Sequence, residues 1–191
     1  MKRFWSVLSG IILALYPLLV YMGLTTFNTR VVAAGILIFV VLRMVILSDF
    51  KLKNIKPFLP LFTAGVLLSG YSAFFNSQTA LLLMPVFTSV VFLITFGVTL
   101  FKKPSMVERF AALKEKNMTD HIKRYCFKVT IVWIAFFILN GIVACYTVFF
   151  TSKEYWTLYN GLISYVIMGT IFAIEFTVRK IVVHKKAKEA V

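Results

Sequence analysis

The sequence has 191 residues, of which 60% are hydrophobic, and it carries a net charge of +14 at pH 7. Soluble domains contain roughly 45–50% apolar residues. This composition, with a mean hydropathy of +0.89, therefore excludes a soluble globular protein and indicates an integral membrane protein. The basic residues separate apolar runs instead of gathering on one face, which argues against a nucleic-acid partner.

Six apolar runs have the length of membrane-spanning helices, each of which requires about 20 residues. They cover residues 5–24, 31–47, 57–75, 79–101, 126–150 and 156–178. The sequence therefore predicts an all-α, polytopic membrane protein, with a bundle of six transmembrane helices forming a single domain over residues 1–191.

Prolines and small residues indicate how these helices bend and pack. The first run exceeds the apolar region of a secretory signal, which has about 7–15 residues, so it predicts a retained helix, kinked at Pro17. Pro85 predicts a kink in the fourth run. Small residues at every fourth position favour close helix packing in a membrane. These stripes are Ser6, Gly10 and Ala14; Gly65, Ser69 and Ala73; and Gly169 and Ala173.

Residues 102–124 form the longest predicted loop. Within it, Ser105 and Glu108 fit a capping box, in which the serine oxygen accepts from a first-turn N–H and the glutamate reaches back to the serine. The following segment has an apolar side, Met106, Val107, Phe110 and Leu113, and a basic side, Arg109, Lys114 and Lys116. This pattern predicts a short amphipathic helix on lipid headgroups. A solvated basic loop is the alternative.

The lysines and arginines are divided unequally between the two sides that six spans define. Eighteen of the 21 fall on the side that carries both ends of the sequence, and Arg30 and Lys153 fall on the other. Basic residues stay on the cytoplasmic side, so the pattern places the loop 102–124 and the tail 179–191 in the cytoplasm. Arg43 lies near the cytoplasmic end of the second helix, where its side chain can reach the interface.

The last two runs contain most of the polar residues that lie inside apolar sequence. Asn160, Ser164 and Glu175 share one face of the sixth helix, and Trp133 and Asn140 share one face of the fifth. A short connection makes these helices a hairpin, so the two faces are expected to meet. We predict that the two asparagines either hydrogen-bond across the hairpin or line a polar cavity.

Glu175 is the only carboxylate inside a predicted span. Burying an ionisable group in a membrane is costly unless it has a partner. Arg179 follows four residues later and Arg43 lies at a similar depth, so we predict a structural ion pair, with substrate or proton handling as the alternative. The candidate intramembrane cluster is Arg43, Trp133, Asn140, Tyr159, Asn160, Ser164 and Glu175.

Tyr155, Trp156 and Tyr159 lie at the outer end of the sixth span, where an aromatic belt is typical. His121 and His184 lack the neighbouring ligands of a metal site. The sequence contains no phosphate-binding loop, nucleophile elbow or paired-carboxylate motif. It therefore predicts no metal, no cofactor and no catalytic residue.

Residues 102–179 contain motifs that resemble a family of uncharacterised bacterial inner-membrane proteins. The residues that carry this resemblance include Pro104, Ser105, Glu108, Arg109, Phe110, Tyr125, Trp133, Asn140, Trp156, Tyr159, Asn160, Ser164, Gly169 and Glu175. The basic loop from Lys102 and the helix from Trp133 are more distantly similar to the intracellular septation protein family. The resemblance implies residence in a Gram-negative inner membrane and frequent encoding beside aryl-polyene or fatty-acid-synthesis-like clusters. It implies no reaction.

Three functions fit these features. We favour an accessory or scaffold protein, without chemistry of its own, for envelope or lipid-biosynthesis machinery. Its surface for anionic headgroups or an acidic protein partner would be Ser105, Glu108, Arg109 and Phe110. The alternative is a transporter or flippase of a lipid or other amphiphile, with a cavity lined by Asn140, Asn160, Ser164 and Glu175. A membrane-embedded lipid-modifying enzyme is the third. Membrane lipids are partners in each case.

Overall fold

The computed structural model describes residues 15–48, 59–112 and 118–189. In these ranges the regular structure is helical, and short turns join the helices. They are α1 (Tyr16–Thr26), α2 (Thr29–Ser48), α3 (Leu59–Phe75), α4 (Gln78–Leu82), α5 (Met84–Phe101), α6 (Met106–Ala112), α7 (Asp120–Phe150), α8 (Lys153–Leu158), a π-helical turn (Tyr159–Ile163) and α9 (Ser164–Glu189). The prediction of an all-α protein is confirmed.

Three helical segments of the described residues are long and apolar enough to cross a membrane. They are Gln78–Phe101, Asp120–Phe150 and Lys153–Arg179. They coincide with the fourth, fifth and sixth predicted spans, and their apolar character indicates a membrane protein. Half of the first predicted span, including the stripe at Ser6, Gly10 and Ala14, lies outside the described residues, as do residues 49–58 between the second and third predicted spans.

An aromatic cluster joins α5, α7 and α9. The ring of Phe137 on α7 stacks on Phe92 of α5 at a centroid distance of 5.3 Å and meets Phe96 edge-on at 5.2 Å. On the same face of α7, the indole of Trp133 lies 4.6 Å from the ring of Phe172 on α9. Aromatic pairs at these distances contribute about 0.5–1.5 kcal/mol beyond the area they bury, so this cluster fixes how the three helices face one another.

The fourth predicted span is interrupted at Leu83, two residues before Pro85. Proline has no N–H, so the carbonyl oxygen of Leu81 lacks its usual partner four residues later. The hydroxyl of Tyr16 donates to this oxygen at 2.9 Å, and the indole Nε1 of Trp156 donates to the oxygen of Leu82 at 3.0 Å. Side chains from α1 and α8 therefore supply donors to the backbone at the interruption.

Trp156 is buried, with 1% of its surface exposed, and it packs in a cluster with Val20, Leu24 and Leu81. The prediction that it forms an aromatic belt at the membrane interface is wrong. The sequence could not distinguish the two locations, because an indole ring is stable both at a membrane interface and in an apolar core that offers its N–H one backbone acceptor. Tyr155, beside it, is 66% exposed.

The small-residue stripes differ in what they contact. A Cβ on Gly65 would lie 3.0 Å from Met84 Cε and 3.4 Å from Val40 Cγ1, so the predicted packing seam on α3 is confirmed. A Cβ on Gly169 would meet no atom within 4 Å, and Ala173 is exposed. The predicted seam on α9 is therefore wrong as a contact among the described helices.

Candidate functional site

A cleft of about 380 Å³ lies between α1, α3, α5, α7 and the start of α9. Its size falls within the range of about 300–1,000 Å³ that is typical of ligand pockets. Most of its wall is apolar, with a few hydroxyl and amide groups. The lining residues are Tyr16, Pro17, Leu61, Met84, Pro85, Thr88, Ser89, Phe92, Phe136, Phe137, Asn140, Asn160, Ser164, Tyr165 and Met168. Among these fifteen residues there is no carboxylate, lysine, arginine or histidine.

Asn140 connects three helical segments on one side of the cleft. Its Nδ2 donates to Ser89 Oγ on α5 at 3.0 Å, and its Oδ1 accepts from the Tyr159 hydroxyl in the π-helical turn at 3.3 Å. The helices approach closely here because Gly141 has no side chain, and a Cβ at that position would lie 3.3 Å from Ser89 Cβ. The geometry holds the Asn140 amide in one orientation at the wall.

Asn160 occupies the π-helical turn, and 4% of its surface is exposed. Its Nδ2 donates to Thr147 Oγ1 at 3.2 Å and to the backbone oxygen of Trp156 at 2.9 Å. Its Oδ1 is buried and has no hydrogen-bond partner. A buried acceptor without a partner is costly, and π-helical turns occur often at functional sites. Asn160 is therefore the most unusual polar group in the wall.

The two asparagines do not bond to each other, but each makes a hydrogen bond across the hairpin, as the first of the two predictions proposed. The Tyr159 hydroxyl donates to Asn140, and Asn160 donates to Thr147. Both asparagines also line the same cleft together with Ser164, as the alternative prediction described. That Ser89 and Thr147 are their partners was not predictable from the sequence.

The remaining members of the predicted intramembrane cluster lie elsewhere. Trp133 belongs to the aromatic cluster, and neither Arg43 nor Glu175 lines the cleft. The predicted ion pair of Glu175 is wrong, because the one ion pair within the described ranges is Lys123 with Asp120. Glu175 Oε1 and Arg43 Nε are each buried without a hydrogen-bond partner. Arg43 and Glu175 were predicted to lie at a similar depth in the membrane, but their side chains do not pair.

The residues predicted to form a cytoplasmic surface occupy α6 and the turn before it. The Glu108 carboxylate accepts from the Ser105 N–H at 3.2 Å, which confirms that half of the capping box. The other half is wrong, because Ser105 Oγ is buried without a partner. Thr99 Oγ1 instead accepts from the Met106 N–H at 2.9 Å, and Thr130 Oγ1 accepts from the Val107 N–H at 3.3 Å.

One side of α6 packs against protein. Val107 and Ala111 are 8% and 0% exposed and pack in the core with α7. The predicted headgroup contact is therefore wrong for Val107, and Leu113 lies outside the described residues. Phe110 is 55% exposed. Arg109 Nε donates to the backbone oxygen of Pro104 at 3.0 Å, so its guanidinium fastens the preceding turn.

Tyr16 and Trp156 are the functional side chains that the sequence analysis missed at this site. Both side chains donate to backbone oxygens at the helix interruption before Pro85. Pro85 was the sequence feature that could have predicted such donors, because a proline leaves a backbone carbonyl without its usual partner. Over the described residues, no group of three or more histidine, cysteine, aspartate or glutamate side chains is placed to hold a metal ion. Comparisons of the chain with protein-family models, curated proteins and solved structures find no match.

Proposed function

We propose that the protein is a multi-pass protein of a bacterial inner membrane that binds, and carries across or within the bilayer, an amphiphilic molecule held in the cleft. The observation that carries this proposal is the cleft itself. It is about 380 Å³ in volume, and Asn140, Asn160 and Ser164 lie in its otherwise apolar wall. Such a wall can hydrogen-bond a polar group while it contacts a hydrocarbon chain.

The membrane topology is supported by helix length and charge. Helix α2 has 20 residues and α3 has 17, about 30 Å and 26 Å at 1.5 Å per residue. Together with the three long segments and the first apolar run, they make six spans. The basic residues concentrate on one side, which puts the segments at both ends of the sequence in the cytoplasm. Cysteine-accessibility labelling at positions 30, 77 and 153 tests the six-span order, because all three must label from the periplasm.

The lining chemistry supports binding and passage more than bond cleavage. General acid–base catalysis requires a group that exchanges protons near neutral pH, whereas the polar groups of the described cleft wall are amides, hydroxyls and two tyrosines. These groups hydrogen-bond a neutral ligand without changing charge. A transporter or flippase therefore fits the cleft better than a lipid-modifying enzyme does.

Filling the cleft tests the proposal. Ser164→Phe places a ring at the wall, whereas Thr170→Phe, on the same helix, places it at an exposed position. Native mass spectrometry of the purified protein should find a bound amphiphile in the wild type and in Thr170→Phe, but not in Ser164→Phe. A wild-type protein that retains no amphiphile, or a Ser164→Phe variant that retains it fully, would refute the proposal. Thermal unfolding establishes that each variant is folded.

The accessory function is a second candidate, favoured by one observation. Phe110 projects from the docked helix α6 with 55% of its surface exposed, and exposed aromatic residues are common in protein interfaces. A photoreactive amino acid at position 110 distinguishes the two ideas in cells. A crosslinked protein partner supports the accessory function, whereas crosslinks to lipid alone speak against it.

A further inference from the structure

A second cavity, of about 290 Å³, adjoins the cleft between α1 and α2. Its wall is Tyr16, Leu19, Val20, Val32, Gly35, Ile36, Phe39, Val40 and Met84. Tyr16 and Met84 line both cavities. These two side chains therefore stand between the two cavities.

The two cavities differ in chemistry. The second is lined by aliphatic and aromatic carbon, and its single polar side chain, Tyr16, already donates its hydroxyl to the Leu81 carbonyl oxygen. It offers no free hydrogen-bonding side chain to a ligand. The cleft, by contrast, contains the Asn160 amide, with its unpartnered Oδ1, and the Ser164 hydroxyl. One space thus suits hydrocarbon and the other suits a polar group.

The polar group that fits the cleft is uncharged. Taking an ion out of water is strongly unfavourable unless an opposite charge compensates it, and the described residues that line the cleft include no lysine, arginine, histidine or carboxylate. A hydroxyl or amide head requires only hydrogen bonds. Asn160 Oδ1 is buried and lacks a partner in the structure, so a ligand donor would pair with it once the amide turns toward the cleft.

The boundary between the cavities contains one side chain that can move. It is formed by a fixed ring, Tyr16, and a flexible side chain, Met84, whose Cε is supported from behind by Gly65. A methionine side chain adapts its shape readily, so Met84 can shift to make room for a hydrocarbon chain of the ligand. Gly35 also lines the second cavity and is exposed, and a Cβ at that position would meet no atom within 4 Å.

Building on the proposed function, we infer that the ligand is a single-chain amphiphile with an uncharged, hydroxyl-bearing head group. Its head hydrogen-bonds Asn160 and Ser164 in the cleft. Its hydrocarbon chain passes between Tyr16 and Met84 and ends in the apolar cavity beside Gly35.

The head-group part is tested with two ligands of equal chain length, a monoacylglycerol and a lysophosphatidylglycerol, titrated into purified protein in a mild detergent. Binding is measured by native mass spectrometry. The neutral ligand should bind at least about tenfold more tightly than the anionic one, and Asn160→Leu should weaken binding of the neutral ligand. Tighter binding of the anionic ligand would overturn this inference and leave the proposed function standing. Binding of neither would overturn both.

The chain part is tested by filling the second cavity. Gly35→Leu occupies it without a clash, and Gly97→Leu is the matched control, because its Cβ also meets no atom within 4 Å and it lines neither cavity. Gly35→Leu should weaken binding of a hexadecanoyl glycerol by about tenfold, the effect of leaving roughly two methylene groups unburied. It should leave a hexanoyl glycerol unaffected. Equal effects on both ligands, or no effect on the longer one, would refute this route for the chain.

Discussion

The indole Nε1 of Trp156 donates a hydrogen bond to the carbonyl oxygen of Leu82 at 3.0 Å, across 74 residues of sequence. The acceptor lies three residues before Pro85, where helix α4 gives way to α5. Inside a bilayer, no water replaces a missing donor. The bond therefore ties the start of the last helical segment to the interruption in the fourth apolar run.

Trp156→Phe should destabilise the protein because it leaves this buried carbonyl without the indole donor. The expected loss is about 1–3 kcal/mol in the free energy of unfolding, measured by denaturation in detergent micelles. Tyr155→Phe is the matched control, since that side chain is 66% exposed and should have little effect. Equal stability of the two variants would show that the bond to Leu82 contributes nothing.

Thr130→Val should detach helix α6 from α7. The substitution preserves shape but removes the oxygen that accepts the Val107 N–H, and losing a helix cap costs about 0.5–2 kcal/mol. Amide hydrogen exchange over residues 106–112 should accelerate. Thr170→Val is the control, because its hydroxyl bonds only the Val166 oxygen of its own helix. Unchanged exchange over α6 would contradict the role of Thr130.

Gly65→Leu should destabilise the contact of α3 with α2 and α5. Its Cβ would already press on Met84 and Val40, and overpacking a core costs about 1–3 kcal/mol. Gly70→Leu, on the same helix, meets no atom at its Cβ and should be neutral or stabilising, because glycine weakens a helix interior. The comparison is made by thermal unfolding. A Gly65→Leu variant as stable as Gly70→Leu would show that close packing at Gly65 does not stabilise the protein.

Glu175 and Arg43 should contribute to stability independently. The structure forms no ion pair between them, so a double-mutant cycle of Glu175→Gln and Arg43→Gln should give a coupling energy below about 0.5 kcal/mol. The free energy of unfolding of the wild type, both single variants and the double variant provides the measurement. A coupling above about 1 kcal/mol would restore the predicted ion pair.

Composition and apolar run length were sufficient to predict the helical fold and three of the spans. Composition and run length determine each helix separately, because each spanning segment must satisfy its own backbone hydrogen bonds. The stripe at Gly65 contacts neighbouring helices as predicted. The prediction for the stripe at Gly169 was wrong, because lipid and protein are equally apolar, and small residues alone do not reveal which of the two they contact.

The polar residues of the site were partly predictable. Asn140, Asn160 and Ser164 stand out in apolar sequence, and all three line the cleft. Their partners did not stand out, because Ser89 lies 51 residues from Asn140 and serine is common in membrane helices. The position of Glu175 was misjudged because equal depth along two helices says nothing about the distance between them around the bundle.

Helix α7 has 31 residues and so extends for about 46 Å, whereas the hydrocarbon layer is about 30 Å thick. Roughly three turns of the same rigid rod must stand clear of the acyl chains, and the amino-terminal end carries the polar residues Lys123, Arg124 and Lys128. Helix α6 is fastened near this end through Thr130. Because Thr130 binds the backbone of α6, any displacement of the amino-terminal end of α7 would move α6 with it.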